Sequence, residues 1–97
     1  MKPEQLKVCE ALIYRPDGTI SHDKNDSNKY DGADLRKLIG CQFFTCIELE
    51  KYELWMNEEG IADGEAYNQV VTDLFKKELR GIDLHGNVMV VRKGSVE

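Results

Sequence analysis

The chain begins with a mostly apolar run, Val8-Cys9-Glu10-Ala11-Leu12-Ile13-Tyr14, that stops at Arg15-Pro16-Asp17-Gly18. The run predicts a strand. The stop predicts a turn, because Pro presets φ, Asp bonds back to its own backbone and Gly accepts a positive φ. Thr19-Ile20-Ser21 then returns as a short second strand, and the polar, Asn- and Asp-rich stretch from His22 to Gly32 reads as a loop. Asp31 or Asp34 can cap a helix over 33–39, with Leu35, Leu38 and Ile39 on one side and Gly40 ending it.

Two alternating stretches follow, 41–49 and 52–57, with Glu50-Lys51 between them as a tight turn. The implied register sets Leu49 against Tyr52, Ile47 against Leu54 and Thr45 against Met56, which makes one apolar face. The opposite face carries Phe44, Cys46 and Trp55, with Glu48 and Glu53 near the turn. Asn57-Glu58-Glu59-Gly60 is a second turn, with Gly60 suited to a left-handed backbone, and Ile61-Ala62-Asp63-Gly64 is a link. Asn68 can cap a helix reaching about Leu79, with Val71, Leu74, Phe75 and Leu79 as its apolar stripe and Gly81 closing it. The turn Asp83-Leu84-His85-Gly86-Asn87 leads into the strand Val88-Met89-Val90-Val91, and 93–97 reads as a flexible polar tail.

The order is β-β-α-β-β-α-β. It predicts an α+β fold with a mainly antiparallel sheet of about five strands and two helices on one face. The first and last strands are apolar on both sides, which places them centrally or under cover on both faces. With both helices on one face, Phe44 and Trp55 would need another cover. Self-association into a homodimer is the expectation, and folding of the 22–32 loop over them is the alternative.

Length and charge narrow the classes. The 97 residues make one domain, 1–97, with a core over about 8–92. No stretch of 18 apolar residues occurs, so no membrane partner is expected. Met1-Lys2-Pro3-Glu4-Gln5 lacks the apolar core of a signal peptide, so the expected location is intracellular, in the cytoplasm of the producing or host cell. Residues 1–40 are neutral overall, whereas from Glu48 to Asp73 eight acids (Glu48, Glu50, Glu53, Glu58, Glu59, Asp63, Glu65, Asp73) meet one base, Lys51. Such a face repels phosphate backbones and disfavours nucleic acid. It suits either a protein with a basic surface or water alone.

Candidate chemistry is sparse. The odd cysteine count fits a reducing compartment, and Cys41 and Cys46, five apart in an apparent strand, point to opposite faces. Neither a metal nor a cofactor is expected. Asp23, Asn25, Ser27, Asp31 and Asp34 match a calcium loop at positions 1, 3, 5, 9 and 12, but the glycine at 6 and the Glu at 12 are missing. His85 near Asp83 could serve as a base, yet no nucleophile accompanies it and no catalytic signature is present. Trp55 stands on the polar side of its strand. It reads equally as an interface anchor and as a second core on Phe44.

Several of these segments together resemble a known domain. They are 10–20, 35–40, Leu54-Trp55-Met56-Asn57-Glu58-Glu59-Gly60, Asn68-Gln69-Val70-Val71-Thr72-Asp73-Leu74 and Gly86-Asn87-Val88-Met89-Val90-Val91. They are similar to a small domain of unknown function found in bacteriophages, mobile elements and large DNA viruses. The resemblance covers about 8–92 and departs at Val70-Val71, where small residues are usual, and in a more charged end to the second helix. It implies a viral or phage accessory protein with no known activity or cofactor. Its matching positions are Asn57, Gly60, Asn68, Gly86 and Asn87, each explicable as a turn or cap.

The expected function is therefore a non-enzymatic accessory protein that binds other proteins and self-associates, with Phe44, Glu48, Glu53, Trp55 and Asn57 as its interaction residues. The alternative is a binder that sequesters a nucleotide signal in counter-defence, for which Arg15, Lys29, Arg36, Lys37, Tyr14 and Tyr30 are the candidate contacts. An enzyme ranks third.

Overall fold

The opening turn forms as its composition requires. Gly18 takes φ 90°, Thr19 N donates to Asp17 Oδ1 at 2.9 Å, and Arg15 N donates to Thr19 O at 2.9 Å. It joins β1 (Glu10–Tyr14) to β2 (Ile20–Lys24) in a computed structural model that describes residues 1–25 and 28–97. The second strand is longer than expected and takes up His22, Asp23 and Lys24. Its alternating exposure marks a sheet edge, where polar side chains face water at no cost.

The remaining elements are α1 (Gly32–Ile39), β3 (Phe44–Glu48), β4 (Tyr52–Asn57), α2 (Gln69–Leu74), α3 (Lys76–Leu79) and β5 (Val88–Arg92). The fold is α+β, with one five-stranded sheet of order β2-β1-β5-β4-β3 in which every neighbouring pair is antiparallel. The β3–β4 register is the expected one: Thr45 pairs with Met56, Ile47 with Leu54, and Leu49 N donates to Tyr52 O at 2.9 Å. β5 and β1 lie inside the sheet, in keeping with their two-sided apolarity.

The helices do not share a face. α2 and α3 pack Val71, Phe75 and Leu79 on Leu12, Tyr14, Leu54, Met56, Val88 and Val90. α1 packs Leu35 and Ile39, together with Tyr30, on Ala11, Ile13, Met89 and Val91. The correction follows from β1 and β5, whose side chains are apolar on both sides and need a helix against each. Phe44 and Trp55 are half-buried against the α1 layer, so they are covered within the chain. Their rings meet edge-on at 5.7 Å, and the Arg36 guanidinium lies over Phe44 at 5.9 Å.

Both helical regions are held by the caps their sequences carry. Asp31 Oδ1 accepts from Asp34 N at 2.9 Å and Asp34 Oδ2 accepts from Asp31 N at 3.0 Å, while Gly40 ends α1 at φ 80°. The second helical region is not continuous. It breaks at Phe75 (φ −111°, ψ 26°), and Leu74 is exposed because the buried face runs through Val71, Thr72, Phe75 and Leu79 instead.

The C-terminal residues are ordered, contrary to a flexible tail. Ser95 is fully buried, its Oγ accepts from Cys9 N at 2.8 Å and its carbonyl accepts from Tyr30 N at 2.8 Å. Cys9 has φ 68°, a left-handed backbone unusual for a non-glycine residue, and the bond to Ser95 holds it there. A polar segment orders when it supplies partners for buried backbone groups, which hydrophobic patterning does not register.

Asn68 is the most heavily used polar side chain. It is fully buried, and its Nδ2 donates to Tyr14 O at 2.9 Å and to Gly86 O at 2.8 Å. Its backbone N–H donates to Leu84 O at 2.7 Å, and its carbonyl accepts the Thr72 hydroxyl at 2.7 Å. One residue thus ties β1, the 84–86 segment and α2 together. Asn68→Ala removes both side-chain bonds, leaves the Gly86 carbonyl without its partner, and is expected to cost about 1–3 kcal/mol. Urea denaturation checks this, and a loss below about 1 kcal/mol would contradict it.

Candidate functional site

The five residues singled out for interaction stand on one face of the β3–β4 hairpin. Phe44 pairs with Asn57, Cys46 with Trp55 and Glu48 with Glu53. Trp55 Nε1 donates to Glu53 Oε1 at 3.3 Å, so the indole is satisfied inside the hairpin. Glu48 and Glu53 oppose each other directly. The bonds at Leu49–Tyr52 and Phe43–Glu58 make the odd residues of β3 the hydrogen-bonded positions. Glu48–Glu53 is therefore a non-hydrogen-bonded pair, the kind in which side chains lie closest. Among the described residues ion pairs form only at Glu10, with His22 and Lys24, each at 3.8 Å. Neither hairpin carboxylate makes an ion pair. They act on Cys46 beside them: burial first, then Glu53 and Glu48, push its thiol up to about 12, which keeps it protonated and unreactive at neutral pH.

The other face of the hairpin forms a groove that sequence reading did not single out. It holds about 510 Å³, with Thr45, Ile47 and Met56 from the sheet, Ile61 from the link and Ile82 and Leu84 from the segment after α3. Glu58, Glu59 and Asp83 supply acidic groups to it. Ile61 and Ile82 are 74% and 51% exposed, so much of the apolar lining meets water. The signal was present as isolated isoleucines in polar loops, but only the fold brings them beside Ile47.

A third cluster joins the positions of the family resemblance. Asn57 Nδ2 donates to Asp63 Oδ2 and to Glu65 Oε1, each at 3.0 Å, and its Oδ1 accepts from Glu59 N at 2.9 Å. The Glu65 carboxylate lies against Gly60 and Gly86. Gly60 does not take the expected left-handed backbone. A Cβ there would come within 3.2 Å of Glu65 Oε2 and 3.4 Å of Asn57 O, so any side chain would crowd them. Gly86 needs both freedoms, with φ 75° and no room for a Cβ beside Glu65. Asn87 reaches across to α1, its Nδ2 donating to Ile39 O at 3.0 Å. Glu65, legible only as one acid in a run, is the hub that Asn57, Gly60 and Gly86 surround.

The remaining candidates are engaged elsewhere. His85 Nδ1 lies 3.1 Å from Glu65 O. A carbonyl only accepts, so Nδ1 carries the proton. Asp23 Oδ2 accepts from the Tyr30 hydroxyl at 2.8 Å, and Asp31 and Asp34 cap α1, which occupies three of the calcium-loop carboxylates; Ser27 lies outside the described residues. Cys41 precedes β3 rather than standing in it, and burial raises its thiol above the ordinary value. Tyr14 and Tyr30 are buried in the cores on opposite faces of the sheet, while Lys29 and Arg36 line separate clefts.

The architecture is that of a small α+β domain, an antiparallel sheet with a helical layer on each face and Glu48 facing Glu53 in its outer hairpin. The chain belongs to the family of the domain of unknown function DUF3846, whose sequence model matches residues 9–96. No curated protein and no solved structure matches it. The match runs through Ser95, which fits that residue's buried place between Cys9 and Tyr30. No helix among the described residues is long and apolar enough to cross a membrane.

Two substitutions test this geometry. Gly86→Ala is expected to lose about 1–2 kcal/mol from its left-handed backbone alone, and more from the overlap with Glu65. In a Glu65→Ala background Gly86→Ala should cost only the backbone part, as measured by urea midpoints; no cost in that background would deny the backbone contribution. Glu48→Gln relieves the facing carboxylates and should stabilise the fold by about 0.2–1 kcal/mol, less as salt is raised. Destabilisation in low salt would contradict the reading of that pair.

Proposed function

We propose that this protein works by binding another protein and not by catalysis, as an intracellular accessory protein of the phage, mobile-element or large-virus kind. The observation that carries the reading is the pairing of Glu48 with Glu53 at an outer hairpin whose other face opens on an apolar groove. Apolar area supplies affinity when a partner covers it, and acids that make no ion pair select a partner with a basic surface and speed its approach. Phe44 and Trp55 support the hairpin from the α1 side and brace the surface more than they offer it.

A second copy is a weaker fit than a basic partner. The cover that Phe44 and Trp55 would have drawn from a dimer comes from α1 and Tyr30. A copy of the same acidic hairpin also brings no base to the Glu48–Glu53 pair.

The test is cross-linking in the producing cell with wild-type protein and with the double charge reversal Glu48→Lys/Glu53→Lys. The expected outcome is a partner joined to the wild type, lost on reversal, whose capture weakens as salt is raised. Identical captures by both forms would refute the acidic hairpin as the binding surface.

A further inference from the structure

We propose that β3 is a docking edge that takes an extended segment of a partner by strand addition, the segment alternating apolar residues with Lys or Arg. The proposal rests on the protein-binding reading above and specifies its mode and the chemistry of the occupant.

The edge comes first. Leu49 N donates to Tyr52 O at 2.9 Å and Glu58 N donates to Phe43 O at 3.0 Å, so the odd residues of β3 turn their backbone groups toward β4. Phe44, Cys46 and Glu48 turn theirs away from the sheet, and among the described residues no strand pairs with them. Sheet edges are usually guarded by Lys, Pro or a bulge. β3 has none of these: its register with β4 is unbroken and its one charge is Glu48. The opposite edge is guarded, since β2 carries His22, Asp23 and Lys24.

The two faces then dictate the alternation. A strand added to β3 sends successive side chains to opposite faces of the sheet. On the Thr45–Ile47 side they meet the groove, whose exposed Ile61 and Ile82 an aliphatic side chain would cover. On the other side they meet Phe44, Cys46 and Glu48, with Glu53 directly behind Glu48. A Lys or Arg opposite Glu48 gives an ion-pair partner to two facing carboxylates that make none among the described residues. This mode of recognition draws affinity from main-chain bonds and specificity from the alternate pockets. A second copy of β3 would present Glu48 where a base is needed.

The experiment uses a synthetic heptapeptide alternating lysine and valine, blocked at both ends, with a glutamate–valine peptide as control. The lysine peptide should bind saturably, more weakly as salt rises, and should slow exchange of the Phe44, Cys46 and Glu48 amides while leaving Thr45 and Ile47 unchanged. Cys46→Pro removes the central outward N–H at an edge position where proline is tolerated, and should weaken binding about tenfold. Ile82→Glu, on the exposed groove wall, should weaken it without altering the fold, which covers the case that the proline variant misfolds. Binding that leaves the three edge amides unchanged overturns strand addition, while the protein-binding reading still stands or falls by its charge-reversal test. Equal binding of both peptides, or of neither, also overturns the proposal. So does protection of the same amides that grows with protein concentration alone, since it would assign the edge to a second copy.

Discussion

Everything in this fold follows from a strand that must be covered on both sides. Val88, Met89, Val90 and Val91 of β5 are completely buried, and β1 beside it is nearly so. Successive residues of a strand face opposite ways, so this burial needs a layer above and a layer below. Among the described residues three short α-helices provide them. They are too short to be stable alone and exist because they are docked and capped. α1 reaches Phe44 on one side of β3, whereas α2 and α3 leave much of its Thr45–Ile47 side open, which is how that face of the outer hairpin becomes a groove.

The groove is shaped by polar bonding as much as by its apolar lining. The 82–85 segment that forms one side of it is pinned to α2, with Leu84 N donating to the Thr72 hydroxyl at 3.1 Å and Leu84 O accepting from Asn68 N. The 57–65 link that forms another is knitted by Asn57 and by Glu65, whose backbone N–H donates to Gly60 O at 2.9 Å. A surface held by buried bonds loses little freedom when it is occupied, which favours binding over local rearrangement. Asn68 is therefore both a helix cap and a fixture of the surface.

Much of the sheet was legible in the sequence because alternation and turn chemistry are local signals. The register of Thr45 with Met56 and Ile47 with Leu54 could be read directly, as could the caps at Asp31 and Asn68. The side taken by each helix could not be read. It depends on which face of β5 meets which helix, and both faces of that strand are equally apolar. The ordered tail was missed for a different reason: Ser95 is polar, and its burial pays off only through Cys9 and Tyr30, distant in sequence. Glu65 and the isoleucines of the groove were hidden in the same way, since their neighbours come from separate loops.

The account turns on β3 being a bare edge beside a core sealed on both faces, and hydrogen exchange of the free protein tests this residue by residue. The amides of β5 should exchange slowest, near the rate set by global unfolding, and along β3 protection should alternate. Thr45 and Ile47 should be slow, and Phe44, Cys46 and Glu48 fast. Equal protection along all five residues of β3 would mean that the edge is already covered, and would contradict the account.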